Sequence, residues 1–144
     1  MKKILTLSTI AIMAVAGSLL LFACGSTRVT SDELKGRWDL IGYELKGGGQ
    51  DINITQGNED WDMFTDNFVH FNEDKTFEMK FMSYDVEGKW QIKNAGRQVK
   101  LTADGESTRW DASIRGDDEL TLSDTYEGVT QTKIFKRCDN GNSY

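Results

Sequence analysis

The sequence predicts an all-β fold: an antiparallel, up-and-down, eight-stranded β-barrel behind an N-terminal leader. Three observations lead there. Apolar and polar residues alternate with a period of two through most of residues 34–137, which turns one face of each segment to a core and the other to water. Short breaks rich in glycine, asparagine and aspartate separate these segments. Most of the connections are tight, as in a meander, and a meander that closes on itself leaves no unpaired edge.

The elements follow in order. Residues 36–46 form the first strand, where adjacent Leu40 and Ile41 break the alternation and predict either a bulge or burial on both faces. Residues 47–66 are the single long connection, and about residues 67–72 form the second strand. Phe77, Met79 and Phe81 then alternate with Thr76, Glu78 and Lys80, and Trp90 and Ile92 with Lys89, Gln91 and Lys93. Val99, Leu101 and Ala103 define the fifth strand, Trp110, Ala112 and Ile114 the sixth, Leu120 and Leu122 the seventh. Residues 129–137, apolar and polar on both faces, complete the eight. The interior then holds Phe77, Met79, Phe81, Trp90 and Trp110. A membrane-spanning barrel fits poorly, because Lys80, Lys89, Lys93, Lys100, Arg109 and Arg115 fall on the opposite face. Lysine or arginine facing mid-bilayer lipid costs about 2–4 kcal/mol each.

Residues 1–23 stand apart from this pattern. Lys2 and Lys3 precede a charge-free apolar run that ends Leu21-Phe22-Ala23-Cys24. That ending resembles the lipobox of bacterial lipoproteins, with Cys24 as the first mature residue. The resemblance implies a signal peptide over residues 1–23 and a lipidated Cys24 with several acyl chains. Each buried CH₂ contributes about 0.8 kcal/mol, so several chains anchor durably to a membrane where one does not. Cys138 is then the one remaining thiol and no intramolecular disulfide forms. Gly25 follows Cys24, where enteric lipoproteins retained in the inner membrane carry aspartate. The implied location is the cell envelope, lipid-anchored in the outer membrane and facing the periplasm. Residues 24–33 read as the lipidated cysteine plus a polar tether, residues 34–138 as the barrel and residues 139–144 as a tail.

Within the barrel, Gly36-Arg37-Trp38 resembles the Gly-x-Trp signature of lipocalins. The ordered set Phe71-Asn72-Glu73-Asp74-Lys75-Thr76-Phe77, Gly88-Lys89-Trp90, Val99-Lys100-Leu101 and Glu119-Leu120-Thr121-Leu122 resembles the small lipocalin-like domains of bacterial lipoproteins. The resemblance implies a lipocalin-like barrel that holds a small apolar ligand. It also implies structural roles for Gly36, for Trp38 at the barrel floor and for a basic residue of the last strand over its ring: Arg137, Lys136 or Lys133.

Chemistry is sparse. A net charge of −6 argues against a nucleic-acid partner, and a single histidine cannot build a histidine-rich metal site. No nucleophile elbow, phosphate loop or dinucleotide fingerprint accompanies His70, so neither an enzyme nor a cofactor is expected. If the barrel has a cavity, its lining is Phe77, Met79, Phe81, Trp90 and Trp110, with His70 and Tyr84 as polar contacts. The long connection is acidic and lacks calcium-loop spacing, yet carries Trp61, Met63 and Phe64, which must pack against something. Two functions follow. One is a lipid-anchored carrier of a small hydrophobic or amphipathic ligand. The other is a filled barrel whose loops bind or inhibit an envelope protein.

Overall fold

The computed structural model describes residues 28–49 and 51–138. The expected signal peptide over residues 1–23, Cys24 with residues 25–27 of the expected tether, and the expected tail over residues 139–144 lie outside the described residues.

The fold begins earlier than the alternation suggests. Thr30 caps a single helical turn, α1 (Ser31–Leu34), by a capping box: its hydroxyl accepts from the Glu33 N–H at 3.3 Å, and the Glu33 carboxylate accepts from the Thr30 N–H at 3.0 Å. Val29 is buried, and its N–H donates to the Gly96 carbonyl at 2.6 Å. Residues 28–33 therefore belong to the barrel floor and not to a tether. A capping box and one valine suffice to dock a segment that has too few apolar residues to announce itself.

Nine strands follow, each antiparallel to its neighbours: β1 (Gly36–Lys46), β2 (Ile52–Thr55), β3 (Phe68–Phe71), β4 (Thr76–Phe81), β5 (Tyr84–Lys93), β6 (Gln98–Ala103), β7 (Glu106–Arg115), β8 (Glu119–Tyr126) and β9 (Val129–Arg137). Because β9 pairs back onto β1, the ladders from β1 through β3 to β9 close an eight-stranded barrel. A bulge falls at Ile41, where the β1–β9 register slips between Leu40 opposite Phe135 and Gly42 opposite Ile134.

The ninth strand lies in the connection read as a loop. β2 pairs with residues 42–45 of β1, and β3 pairs with residues 36–39 along the same edge and in the same direction. The chain leaves this edge after Gln56, whose N–H donates to the Ile41 carbonyl at 3.3 Å, and returns at Asn67, whose carbonyl accepts from the Leu40 N–H at 2.9 Å. β2 and β3 are thus two halves of one strand interrupted by residues 57–66, which carry the short 3-10 helix η1 (Glu59–Phe64).

The floor half of the interior is packed solid. Leu34, Trp38, Val69, Trp90, Val99, Leu120 and Leu122 have no exposed surface, and Phe71, Phe77 and Phe135 almost none. Gly88 permits this density: a Cβ there would lie 2.0 Å from the Thr102 carbonyl oxygen and 2.9 Å from the Phe77 ring. Gly36 opens β1 at φ +112°, a conformation that disfavours any side chain and lets the strand start directly above the floor. The outward face carries Lys80, Lys89, Lys93, Lys100, Arg109 and Arg115, so it forms no lipid-facing apolar band. Among the described residues, the barrel closes and its core cluster lies within residues 28–138.

Candidate functional site

The two ends of the barrel differ. At the floor, the Trp38 Nε1–H donates to the Leu34 carbonyl at 2.8 Å, and the Arg137 guanidinium lies 4.0 Å from the Trp38 ring centroid. Arg137 also donates to the Lys35 carbonyl at 3.0 Å, to the Asp117 carbonyl at 2.9 Å and to the Glu33 carbonyl. One side chain therefore ties α1, β1, the β7–β8 turn and β9 together. Trp90 is fixed nearby: its Nε1–H donates to the Asn72 carbonyl at 3.1 Å, Phe71 meets it edge-on at 5.6 Å, and the Lys75 ammonium lies 4.0 Å from a ring centroid. This end is sealed.

The opposite end, the mouth, is built from the last residues of β1, β4, β6 and β8 and the first of β2, β5, β7 and β9. Here the inward side chains are only partly covered: Tyr43, Met79, Phe81, Val86 and Ala103 pack against the core but keep exposed surface. Because β2 stands where β3 would continue, Phe81 of β4 has no strand partner on that side. Phe64 of η1 fills the position, stacked on Tyr43 at 5.3 Å and tilted against Phe81 at 5.8 Å. Trp61 leans on Phe64 at 5.7 Å, whereas Met63 is exposed. The apolar residues of the long connection thus brace the mouth, and its carboxylates Asp51, Glu59, Asp60, Asp62 and Asp66 remain in water.

At the base of the mouth lies a residue whose role the sequence did not signal. Lys133 of β9, opposite Tyr43 and Leu122, points inward and is only 5% exposed. Its ammonium sits 4.2 Å from the Phe81 centroid and 4.3 Å from the Trp110 centroid, bridging side chains from three separate walls. Burial pushes the Lys133 pKa down to about 8, and the Asp124 carboxylate acts against that shift by favouring the charged form. Burial also raises the Tyr43 hydroxyl above its ordinary value.

The expected ligand residues separate accordingly. Phe81 and Trp110 converge on Lys133, Met79 lies beside them opposite Val86, and Tyr84, mostly exposed, stands on the rim opposite Phe81. Phe77 and Trp90 are buried in the packed floor half, and the open space they border is the pair of clefts beside Lys89, away from the mouth. His70 faces outward, across from Arg37 and Glu78, because Val69 and Phe71 take the inward positions of β3. A polar residue at a lysine's position in β9 reads as solvent-facing when both faces are mixed, so alternation alone could not find Lys133.

A second polar feature lies beside η1. The Asn67 carboxamide is buried with neither atom hydrogen-bonded to protein, in a cleft of about 290 Å³ that Arg37, Asp39, Gln56, Thr65 and Asp66 help to line. Arg37 and Asp39 pair with each other at 3.0 Å, whereas the Asp66 carboxylate stays in water. Larger clefts of about 470 and 390 Å³ open on the outer surface beside Lys89. Among the described residues, no group of three or more histidine, cysteine, aspartate and glutamate side chains is placed to hold a metal ion.

Fold and site together define a small closed β-barrel with a sealed floor and an aromatic mouth built around a buried lysine. No family model matches the sequence, and no curated protein matches it. Among solved structures, the crystal structure of a DUF4847 family protein from Bacteroides vulgatus is similar, with 14% identity and a TM-score of 0.48 over 74% of this chain and 96% of that one. A likeness at this level transfers no activity, ligand or partner.

Proposed function

We propose that this protein is a non-catalytic, lipocalin-like lipoprotein that binds a small amphipathic molecule at the mouth of its barrel. In this reading Cys24 anchors it in the cell envelope, facing the periplasm from the outer membrane. The observation that carries the binding claim is the contrast between the two ends. The floor half is close-packed, whereas the mouth keeps Tyr43, Met79, Phe81, Val86 and Ala103 inward-facing but partly bare. Covering apolar surface contributes about 25 cal/mol per Å², and the mouth is where uncovered inward surface remains. The anchor claim rests on the lipobox-like Leu21-Phe22-Ala23-Cys24 alone.

The test is the affinity of a fluorescent acyl probe for the chain from Gly25 onward. Phe81→Ala should weaken probe binding about tenfold, equivalent to about 1.4 kcal/mol, with the β-sheet circular dichroism retained. Unchanged affinity in the variant, or no binding by the wild type, would reject the mouth as a ligand site. One observation favours a second reading, a filled barrel that docks on an envelope protein. Met63, Met82, Tyr84 and Tyr126 are exposed, and their segments all belong to the mouth end. A partner retained by the wild type but lost on replacing Tyr84 and Tyr126 by serine would favour it.

A further inference from the structure

We infer that the molecule bound at the mouth is an acid, held carboxylate-first with its anionic head against the Lys133 ammonium. This deepens the binding function proposed above and rests on it. Lys133 is 95% withdrawn from solvent, yet its Nζ takes part in none of the hydrogen bonds or ion pairs among the described residues. Its nearest recorded partners are the faces of Phe81 and Trp110, which attract a cation but accept no strong hydrogen bond. An ammonium has three N–H donors, and Nζ is not among the buried atoms cut off from water, so its donors face the opening of the mouth and are free for an acceptor that arrives there.

The groups facing this ammonium are Tyr43 from β1, Phe81 from β4, Trp110 from β7, Leu122 and Asp124 from β8. Asp124 is the one carboxylate among them. It biases Lys133 toward the charged form without forming an ion pair with it. A ligand carboxylate reaching Nζ supplies the missing acceptors, and the two charges neutralise each other in a place where neither is well hydrated. Met79, Val86 and Ala103 offer apolar contact to the remainder of such a molecule, with Tyr84 and Tyr126 on the rim. A neutral molecule of the same length covers that apolar surface equally and leaves the ammonium unmatched.

The experiment compares decanoate with 1-decanol, both below their aggregation limits, by titration calorimetry on the chain from Gly25 onward at pH 7. Decanoate should bind at least tenfold more tightly than 1-decanol. Lys133→Met and Lys133→Gln should abolish that preference by weakening decanoate, with 1-decanol binding kept. Equal affinity of the wild type for both probes, or a preference surviving in both variants, overturns the acid assignment and leaves the carrier function standing. Failure of the wild type to bind either probe overturns both. The acid–alcohol comparison on the wild type needs no variant, so a misfolded substitution cannot obscure the result.

Discussion

Replacing Trp38 with alanine should cost about 3–5 kcal/mol of folding stability, the range for truncating a large buried aromatic side chain. That is a large share of the roughly 5–15 kcal/mol available to a typical domain. Trp38 is fully buried, donates to the Leu34 carbonyl at 2.8 Å and supports the Arg137 guanidinium 4.0 Å from its ring centroid. Its loss opens a void beneath β1 and removes the surface that positions Arg137, so the ties from Arg137 to Glu33, Lys35 and Asp117 should weaken together. Trp38→Phe keeps most of the burial and loses the hydrogen bond, so its cost should fall near 1–2 kcal/mol. Urea unfolding of both variants gives the comparison. A loss below about 1 kcal/mol for alanine would mean the floor does not hold the barrel closed.

The second large effect has the opposite sign. Lys133→Met should make the domain more stable at pH 7, by up to about 3 kcal/mol, because it removes a charge that burial disfavours and keeps the length of the side chain. The pH dependence follows from the lysine's shift from its ordinary 10.5 to about 8 in the folded chain. Below pH 8 both folded and unfolded states hold the proton, and the folded state bears the full penalty of burying it. Between pH 8 and 10.5 the folded lysine is neutral while the unfolded one is still protonated. The unfolded state then binds more protons, and stability rises with pH. The stability gap between Lys133→Met and the wild type should therefore narrow as pH rises above 8. Tyr43, raised by burial, acts in the opposite sense above pH 10, so the useful window is pH 7–10. A gap that stays constant across that window would show that Lys133 is not buried as a cation. Lys133 therefore places a charge at the mouth at the expense of stability.

The strand plan was legible because alternation reports burial directly. Residues 36–46 and 129–137 carry strands at those limits, and adjacent Leu40 and Ile41 marked the bulge. Alternation fails where a strand is short or interrupted. β2 has four residues, and Ile52 and Ile54 alternate with Asn53 and Thr55 over a run too short to stand out as a strand. The segment 28–33 was illegible for the same reason, since its docking depends on a capping box and on Val29 alone. At the site, sequence reasoning named Phe81 and Trp110 but ranked them with Phe77 and Trp90, because a period of two gives the face of a residue and not its height along the barrel. It kept Lys133 only as one alternative cation over Trp38. The structure gives Trp38 to Arg137 and places Lys133 over Phe81 and Trp110. Which lysine turns inward depends on the register that β9 takes against β1, and that register is set by the bulge.

The four tryptophans provide the most direct test, since Trp38 and Trp90 mark the floor, Trp110 the base of the mouth and Trp61 the bracing helix. The measurement is a titration of the ¹⁵N-labelled chain from Gly25 onward with decanoate, followed by the indole N–H resonances. The account predicts a saturable shift of the Trp110 resonance, a smaller one for Trp61, and none for Trp38 or Trp90. A Trp110 resonance that does not respond, or shifts of equal size at Trp38 and Trp90, would contradict a ligand site at the mouth of the barrel.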